Sequence, residues 1–226
     1  MKVGTDAILL GAWCGLDNSP KTILDIGTGT GIISLMLAQR SDAKTIDGVE
    51  INESAFEQSV DNFENSDWSD RLYCFNSTFQ KFANVIYNDK ETYDLIVSNP
   101  PFYTDDFESQ NSSRNTARFT SSLSFNELLI GVSKILSKTG YFSTIIPYKE
   151  EANFINLAKK YNLFLNKICR VQGNNVSEIK RSLLTFSFFK KEINKSHLII
   201  EKSRHQYTDE YVKLTNPFYL KMQLNN

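Results

Sequence analysis

The stretch Asp25-Ile26-Gly27-Thr28-Gly29-Thr30-Gly31 constrains this chain more than any other. It lies between a short apolar run, Thr22 to Ile26, and a dense segment, Gly31 to Arg40, that carries Ile32, Ile33, Leu35, Met36 and Leu37. The first reads as a buried strand and the second as a buried helix. Glycines between them let the backbone turn sharply and approach a ligand closely. A strand, a glycine turn and a helix open a βαβ unit, and such units build a parallel sheet.

The rest of the chain continues that pattern. Thr45 to Glu50, Arg71 to Asn76, Tyr93 to Ser98 and Tyr141 to Ile146 read as further strands, the last closed by Pro147. Asn52 to Asn65, Phe125 to Leu136 and Lys149 to Tyr161 read as helices, with Asn52 as the N-cap of the first. Phe164 to Val171 and Leu183 to Phe189 follow with no long helix between them, which predicts an antiparallel hairpin at one edge. The expected architecture is α/β: a mostly parallel seven-stranded sheet with helices on both faces, formed by residues 1–226 as a single domain. Tyr73, Phe75 and Phe79 are expected in the core. Asn111 to Ser122 is polar and lies between a predicted strand and a predicted helix, so it reads as a functional loop rather than a linker.

Composition bounds the function. The chain is 41% hydrophobic and 23% charged, with a net charge of −1, so it can bury a core and does not coat nucleic acid non-specifically. One local basic face remains compatible with an RNA enzyme. The three cysteines, Cys14, Cys74 and Cys169, form no CxxC pair, and His197 and His205 complete no metal site. Reduced thiols point to the cytoplasm. No apolar run is long enough to span a bilayer, and Met1 to Asp6 is not a signal peptide.

The glycine spacing discriminates between cofactors. A dinucleotide fingerprint reads G-x-G-x-x-G and seats a pyrophosphate on a helix N-terminus. Here the pattern is G-x-G-x-G preceded by Asp25. That fits S-adenosylmethionine, which has no phosphate but carries an ammonium, a carboxylate, a ribose and an adenine. Asp25 is expected to hold the amino-acid end, directly or through water. Glu50 ends the second strand and can accept hydrogen bonds from both ribose hydroxyls, because a carboxylate only accepts and has several lone-pair sites. Thr28, Gly31 and Ile51 complete the expected cofactor contacts of these two segments, and Asn99, after the fourth strand, is expected to touch the cofactor as well.

The most specific signal is Asn99-Pro100-Pro101-Phe102, directly after the fourth strand. Open α/β folds bind ligands at that edge of the sheet. An exocyclic amino nitrogen is a poor nucleophile, since its lone pair is delocalised into the ring. The Asn99 side-chain oxygen and the Pro100 carbonyl can accept its two N–H groups, and those bonds strengthen as the nitrogen becomes tetrahedral. Phe102 can stack on an extracted base, worth roughly 1–3 kcal/mol. This chemistry calls for neither a metal nor a covalent nucleophile.

The glycine loop with Asn-Pro-Pro-Phe resembles the class I, Rossmann-like amino-methyltransferases. Lys2-Val3-Gly4-Thr5-Asp6, Leu9-Leu10-Gly11-Ala12-Trp13 and Leu35-Met36-Leu37-Ala38-Gln39-Arg40 resemble the bacterial tRNA1(Val) (adenine(37)-N6)-methyltransferases more closely. So do Arg114 with Ala117-Arg118, and the tail from Tyr207-Thr208 to Phe218-Tyr219-Leu220. The resemblance implies that Thr5 and Asp6 lie near the cofactor's amino-acid end. It implies Asp25, Gly27, Gly29 and Glu50 as cofactor contacts, and Asn99 to Phe102 as the catalytic tetrapeptide. That family usually has a segment before the lysine-valine-glycine run, often Tyr where Phe102 stands, and often an acid near Thr78, where a hydroxyl or backbone contact must meet the cofactor adenine instead.

Arg114 and Arg118 are expected to grip phosphates beside the target base, with Lys180 and Arg181 as a second backbone contact. The expected partner is tRNA, bound by a monomer. A guanine-N2 rRNA methyltransferase and a protein glutamine-N5 methyltransferase use similar tetrapeptides and stay open, as does a cofactor-binding module without catalysis. The glycine spacing disfavours an NAD enzyme.

Overall fold

The computed structural model describes residues 4–100 and 123–220. The element order is α1 (Thr5–Trp13), β1 (Thr22–Ile26), α2 (Ile32–Arg40), β2 (Thr45–Glu50), α3 (Glu53–Glu64), β3 (Leu72–Asn76), α4 (Phe79–Asn88) and β4 (Tyr93–Ser98). Then come α5 (Phe125–Ile135), β5 (Leu136–Pro147), α6 (Glu151–Lys159), β6 (Phe164–Asn174), β7 (Ile179–Ser187), β8 (Asn194–Ser203), β9 (Gln206–Tyr207) and α7 (Asp209–Thr215). They form one sheet in the order β3-β2-β1-β4-β5-β7-β6-β8-β9.

The strands from β3 through β5 are parallel. Buried on both faces, the central ones need continuous apolar runs rather than alternation. In β1 and β4, Ile23, Leu24, Ile26, Leu95, Ile96 and Val97 are all essentially inaccessible. Alternate residues feed two cores. One face carries α4, α5 and α6, with Leu24, Ile96, Phe142, Leu129 and Phe154 in contact. The other carries α1, α2 and α7, with Ile23, Leu95, Leu10, Leu37 and Tyr211.

The expected edge hairpin is present but is not an edge. β7 runs antiparallel between β5 and β6, and β8 adds in parallel outside β6 with the short β9 beyond it. The sheet thus has nine strands rather than the expected seven. Asn194 to Ser203 carries little strand signal, because its first four residues are exposed and polar. Also unexpected was α4, although Phe79, Phe82, Ala83 and Ile86 all point into the core at helical spacing. Tyr73 and Phe75 do not join the core as expected: they are 47% and 42% exposed, because β3 is an edge strand with only Leu72 buried. Phe79 is core.

Local chemistry sets several boundaries. Asn52 caps α3 as expected, its Oδ1 accepting the Ala55 N–H at 3.0 Å. Ser124 and Glu127 form a reciprocal capping box at the start of α5. Arg71 donates to the carbonyls of Ala38, Ser41 and Ala43, fixing how α2 leaves for β2.

Gly31 begins α2 in the left-handed region, φ +81°, and a Cβ there would sit 2.3 Å from the buried Phe63 ring. Gly31→Ala therefore combines backbone strain with overpacking. It should lower unfolding free energy by about 2–4 kcal/mol, measured by urea denaturation. An unchanged midpoint would show that α3 yields without cost.

Candidate functional site

The strand order reverses direction between β1 and β4, the topological switch point at which open α/β sheets bind ligands. In register, Ile26 faces Ser98, and the Ser98 hydroxyl donates to the Ile26 carbonyl at 3.0 Å. The next residues on the two strands are Gly27 and Asn99. The two strongest sequence signals are therefore neighbours, though they are far apart in the chain.

The glycine loop is held from beneath by Asp25. This side chain is fully buried, and its Oδ2 accepts from the Thr28 hydroxyl at 2.7 Å and the Ser34 hydroxyl at 2.9 Å. Asp25 Oδ1 has no partner among the described residues. Burial pushes the carboxyl up to about 6 against the two hydroxyl hydrogen bonds, and the Glu50 charge adds to the rise. The loop itself starts by pairing with β2, with the Gly27 and Thr28 N–H groups donating to the Val49 carbonyl. Gly27 has φ +71°, is exposed, and would find open space for a Cβ. It leaves backbone accessible at the mouth of the loop.

Glu50 stands across the loop at the end of β2 and is 8% exposed. Its Oε2 accepts the Gly29 N–H at 2.9 Å and its Oε1 accepts the Asn52 N–H at 2.8 Å. One carboxylate thus joins the β1 loop to the start of α3. Each oxygen retains acceptor capacity for a diol. The orphaned Asp25 oxygen, the open surface over Gly27 and the spare lone pairs of Glu50 together fit an amino acid joined to a nucleoside.

The other expected cofactor residues lie around this centre. Ile51 follows Glu50 and is 50% exposed, an apolar surface beside that carboxylate. Thr78 caps α4 by accepting the Lys81 N–H at 3.3 Å, so its hydroxyl already has a structural task. Thr5 is exposed at the start of α1, and Asp6 pairs with Arg181, Oδ2 to Nε at 2.8 Å. That pair brings together a residue expected at the cofactor and one expected at the RNA. It ties α1 to the β6–β7 hairpin. Lys180 is exposed beside it, with Glu178 3.9 Å away. Asn99 is half-buried and Pro100 buried at the end of β4. Pro101, Phe102, Arg114 and Arg118 lie outside the described residues.

Sequence reasoning overlooked a cluster at the same edge. Arg170 on β6 donates through Nε and Nη2 to both carboxylate oxygens of Glu151, at 3.1 and 2.7 Å, and Ser182 donates to Glu151 Oε2 at 2.6 Å. Burial would raise the Glu151 pKa, but these hydrogen bonds and the guanidinium charge outweigh it and hold the carboxyl below its ordinary value. No linear motif joins residues 151, 170 and 182, so only the register of β6 and β7 could reveal them.

A glycine loop after β1, an acid after β2 and Asn-Pro after β4, all at the switch point of a sheet with an inserted antiparallel strand, define a class I methyltransferase. Sequence comparison agrees: the methyltransferase small domain family matches residues 8–121. The tRNA1(Val) (adenine(37)-N6)-methyltransferase of Christiangramia forsetii is 52% identical over 98% of this chain and 92% of its own length. The protein of the same name from Bacteroides fragilis is 44% identical over 98% and 92%. The chain belongs to the tRNA1(Val) (adenine(37)-N6)-methyltransferase family. Solved structures extend the likeness of fold. Protein Atu636 of Agrobacterium tumefaciens, described as a predicted O-methyltransferase, has TM-score 0.72 at 18% identity, covering 94% of this chain and 96% of that one. A ribosomal protein L11 methylase of Lactobacillus delbrueckii has TM-score 0.54 at 14% identity, covering 80% and 76%.

The raised Asp25 pKa gives a signed prediction. Between about pH 4 and 6 the folded protein holds a proton that the unfolded chain has lost, so this group's contribution to stability falls as pH rises through that window and is constant above it. Asp25→Asn removes that dependence. The stability of the variant relative to wild type should rise by on the order of 3 kcal/mol from pH 4 to 7, read from urea midpoints. A difference independent of pH would mean that Asp25 ionises as freely in the fold as in the unfolded chain.

Proposed function

We propose that this protein, acting as one domain, transfers a methyl group from S-adenosylmethionine to N6 of adenine 37 in tRNA1(Val). The observation that carries this reading is the register of Ile26 with Ser98, which sets Asn99 beside the open backbone of Gly27 at the mouth of the glycine loop. Family membership supports the choice of substrate.

S-adenosylmethionine supplies an electrophilic methyl on its sulfonium. The chain holds the two ends of that molecule apart. Glu50, itself fixed by Gly29 and Asn52, accepts the ribose hydroxyls. The loop braced by Asp25 receives the amino-acid portion, and Ile51 offers apolar contact toward the base. Asn99 leaves the rigid β4 immediately before a proline, which lacks a backbone N–H and limits the conformations of the residue before it. Its side-chain oxygen can therefore be aimed with little reorganisation. It accepts an N–H of the target amino group and turns the nitrogen lone pair toward the methyl carbon. As N6 gives its lone pair to the new N–C bond it gains positive charge and its N–H becomes a stronger donor, so this bond is stronger in the transition state than in the ground state.

The target base must leave its stack, which costs a few kcal/mol, and contacts to the surrounding RNA offset that cost. Lys180, exposed at the start of β7, supplies one such contact, and Arg181, paired with Asp6, couples RNA binding to α1.

Two substitutions separate the roles. With labelled S-adenosylmethionine and tRNA from a strain lacking the enzyme, Asn99→Ala should lower kcat by at least about 100-fold. Its cofactor affinity, measured by calorimetry, should change less than about three-fold. Glu50→Ala should do the reverse first: cofactor Kd should rise about 10–100-fold from the lost charge-assisted bonds. Nucleoside analysis should find N6-methyladenosine. Label in N2-methylguanosine, or in protein glutamine and not in tRNA, would overturn the choice of substrate. Near-wild-type turnover by Asn99→Ala would overturn the catalytic assignment.

A further inference from the structure

We propose that Tyr148 and Arg170 form a seat for an unpaired nucleobase next to the target adenine, a second base-recognition point of the same active site. This rests on the RNA-methylating reading above.

Position comes first. Tyr148 directly follows β5, the strand beside β4, and Thr144 is level with Ser98. Asn99 is level with Ile145, so three residues of rise and one strand spacing place the Tyr148 backbone roughly 10–12 Å from that of Asn99. It lies toward the ligand-binding edge, within reach of the nucleotide that neighbours one held at Asn99. β6 and β7 bring Arg170 to the same edge, because Pro147 pairs with Arg181 and Arg170 with Ser182.

The local chemistry is that of a stacking surface. Tyr148 is 39% exposed although aromatic. The Arg170 guanidinium carbon lies 5.5 Å from the centre of its ring. Arg170 cannot swing freely: the Glu151 carboxylate holds its fork in two places, and Ser182 in turn holds Glu151. Glu151 is buried while the Arg170 side chain is 44% exposed, so the anchor is inside and the planar group outside.

Charge decides between base and phosphate. Glu151 already neutralises Arg170, so the pair presents a flat, polarised surface with little net charge. A phosphate would gain little there. A base gains from both an aromatic face and a guanidinium plane, the two groups on which unstacked RNA bases commonly stack. A tie between α6 and β6 would account for Glu151 and Arg170 alone. It would not account for a tyrosine left exposed against the guanidinium.

The test uses the full-length enzyme and tRNA substrates carrying an abasic nucleotide on one or the other side of the target. Tyr148→Ala should raise KM for intact tRNA about ten-fold, with kcat and cofactor Kd within about two-fold. Tyr148→Phe should restore KM, since the ring and not the hydroxyl does the work. On one of the two abasic substrates wild type should show the same rise in KM, and Tyr148→Ala should add nothing to it. The KM ratio of variant to wild type should not change with salt, because stacking releases no counterions. Equal effects of Tyr148→Ala on intact and both abasic substrates would overturn the proposal, as would a KM shift below two-fold. A ratio that falls steeply with salt would assign a phosphate contact instead. If wild type methylates no tRNA, the RNA reading fails and this seat fails with it; if wild type is active and Tyr148→Ala is unimpaired, only the seat fails.

Discussion

A single buried carboxylate, that of Asp25, organises the ligand-binding edge of this sheet. An ionisable group without solvent is costly unless hydrogen-bonded, and here the Thr28 and Ser34 hydroxyls provide the bonds. Each of those residues belongs to a different part of the turn, one in the loop and one in the first turn of α2. The demand for hydrogen bonds at one buried oxygen therefore folds the loop back on its own strand. Left-handed backbone at Gly27, Gly29 and Gly31 makes that path possible. With the path fixed, the Gly29 N–H meets Glu50, and the ends of β1 and β2 become one rigid rim.

The rim is continued by ion pairs that act across the sheet. Asp6 with Arg181 joins the first helix to the β6–β7 hairpin, and Glu151 with Arg170 joins α6 to β6. Neither pair is deep in the core, so neither contributes heavily to stability by itself. Their effect is positional. They tie the antiparallel half of the sheet to the helices α1 and α6 at the edge that carries the glycine loop. In the proposed function the cofactor is handled by β1, β2 and α1 and the RNA by the ends of β4, β5 and the hairpin, and the Asp6–Arg181 pair joins the two surfaces.

Much of the fold was legible because the parallel core obeys local rules. Strands such as Leu95 to Val97 are buried on both sides and apolar throughout, β1 departs from that rule only at Asp25, and the turns that follow the two strands carry glycine or proline. Asn52 announced its helix through its own side chain. The failures share a cause as well. Tyr73 and Phe75 have the composition of core residues but sit on an edge strand, and no sequence states which strand ends the sheet. β8 is mostly polar because its outer neighbour is only the two-residue β9, so it lacks the apolar run that marks a central strand. α4 carried a readable stripe in Phe79, Phe82, Ala83 and Ile86, which the aromatic content of the region obscured.

The sequence by itself determined the chemistry: the glycine spacing after Asp25, the acid at Glu50 and the Asn-Pro step at Asn99 are short-range patterns whose meaning depends on adjacent residues. Tertiary structure alone decided their relation to one another and to everything remote. It set Asn99 beside Gly27 through the β1–β4 register, turned Arg181 toward Asp6 and assembled Glu151, Arg170 and Ser182 beneath Tyr148. Such contacts come from strand order and register, which are fixed by the burial of whole faces and not by any local run of residues.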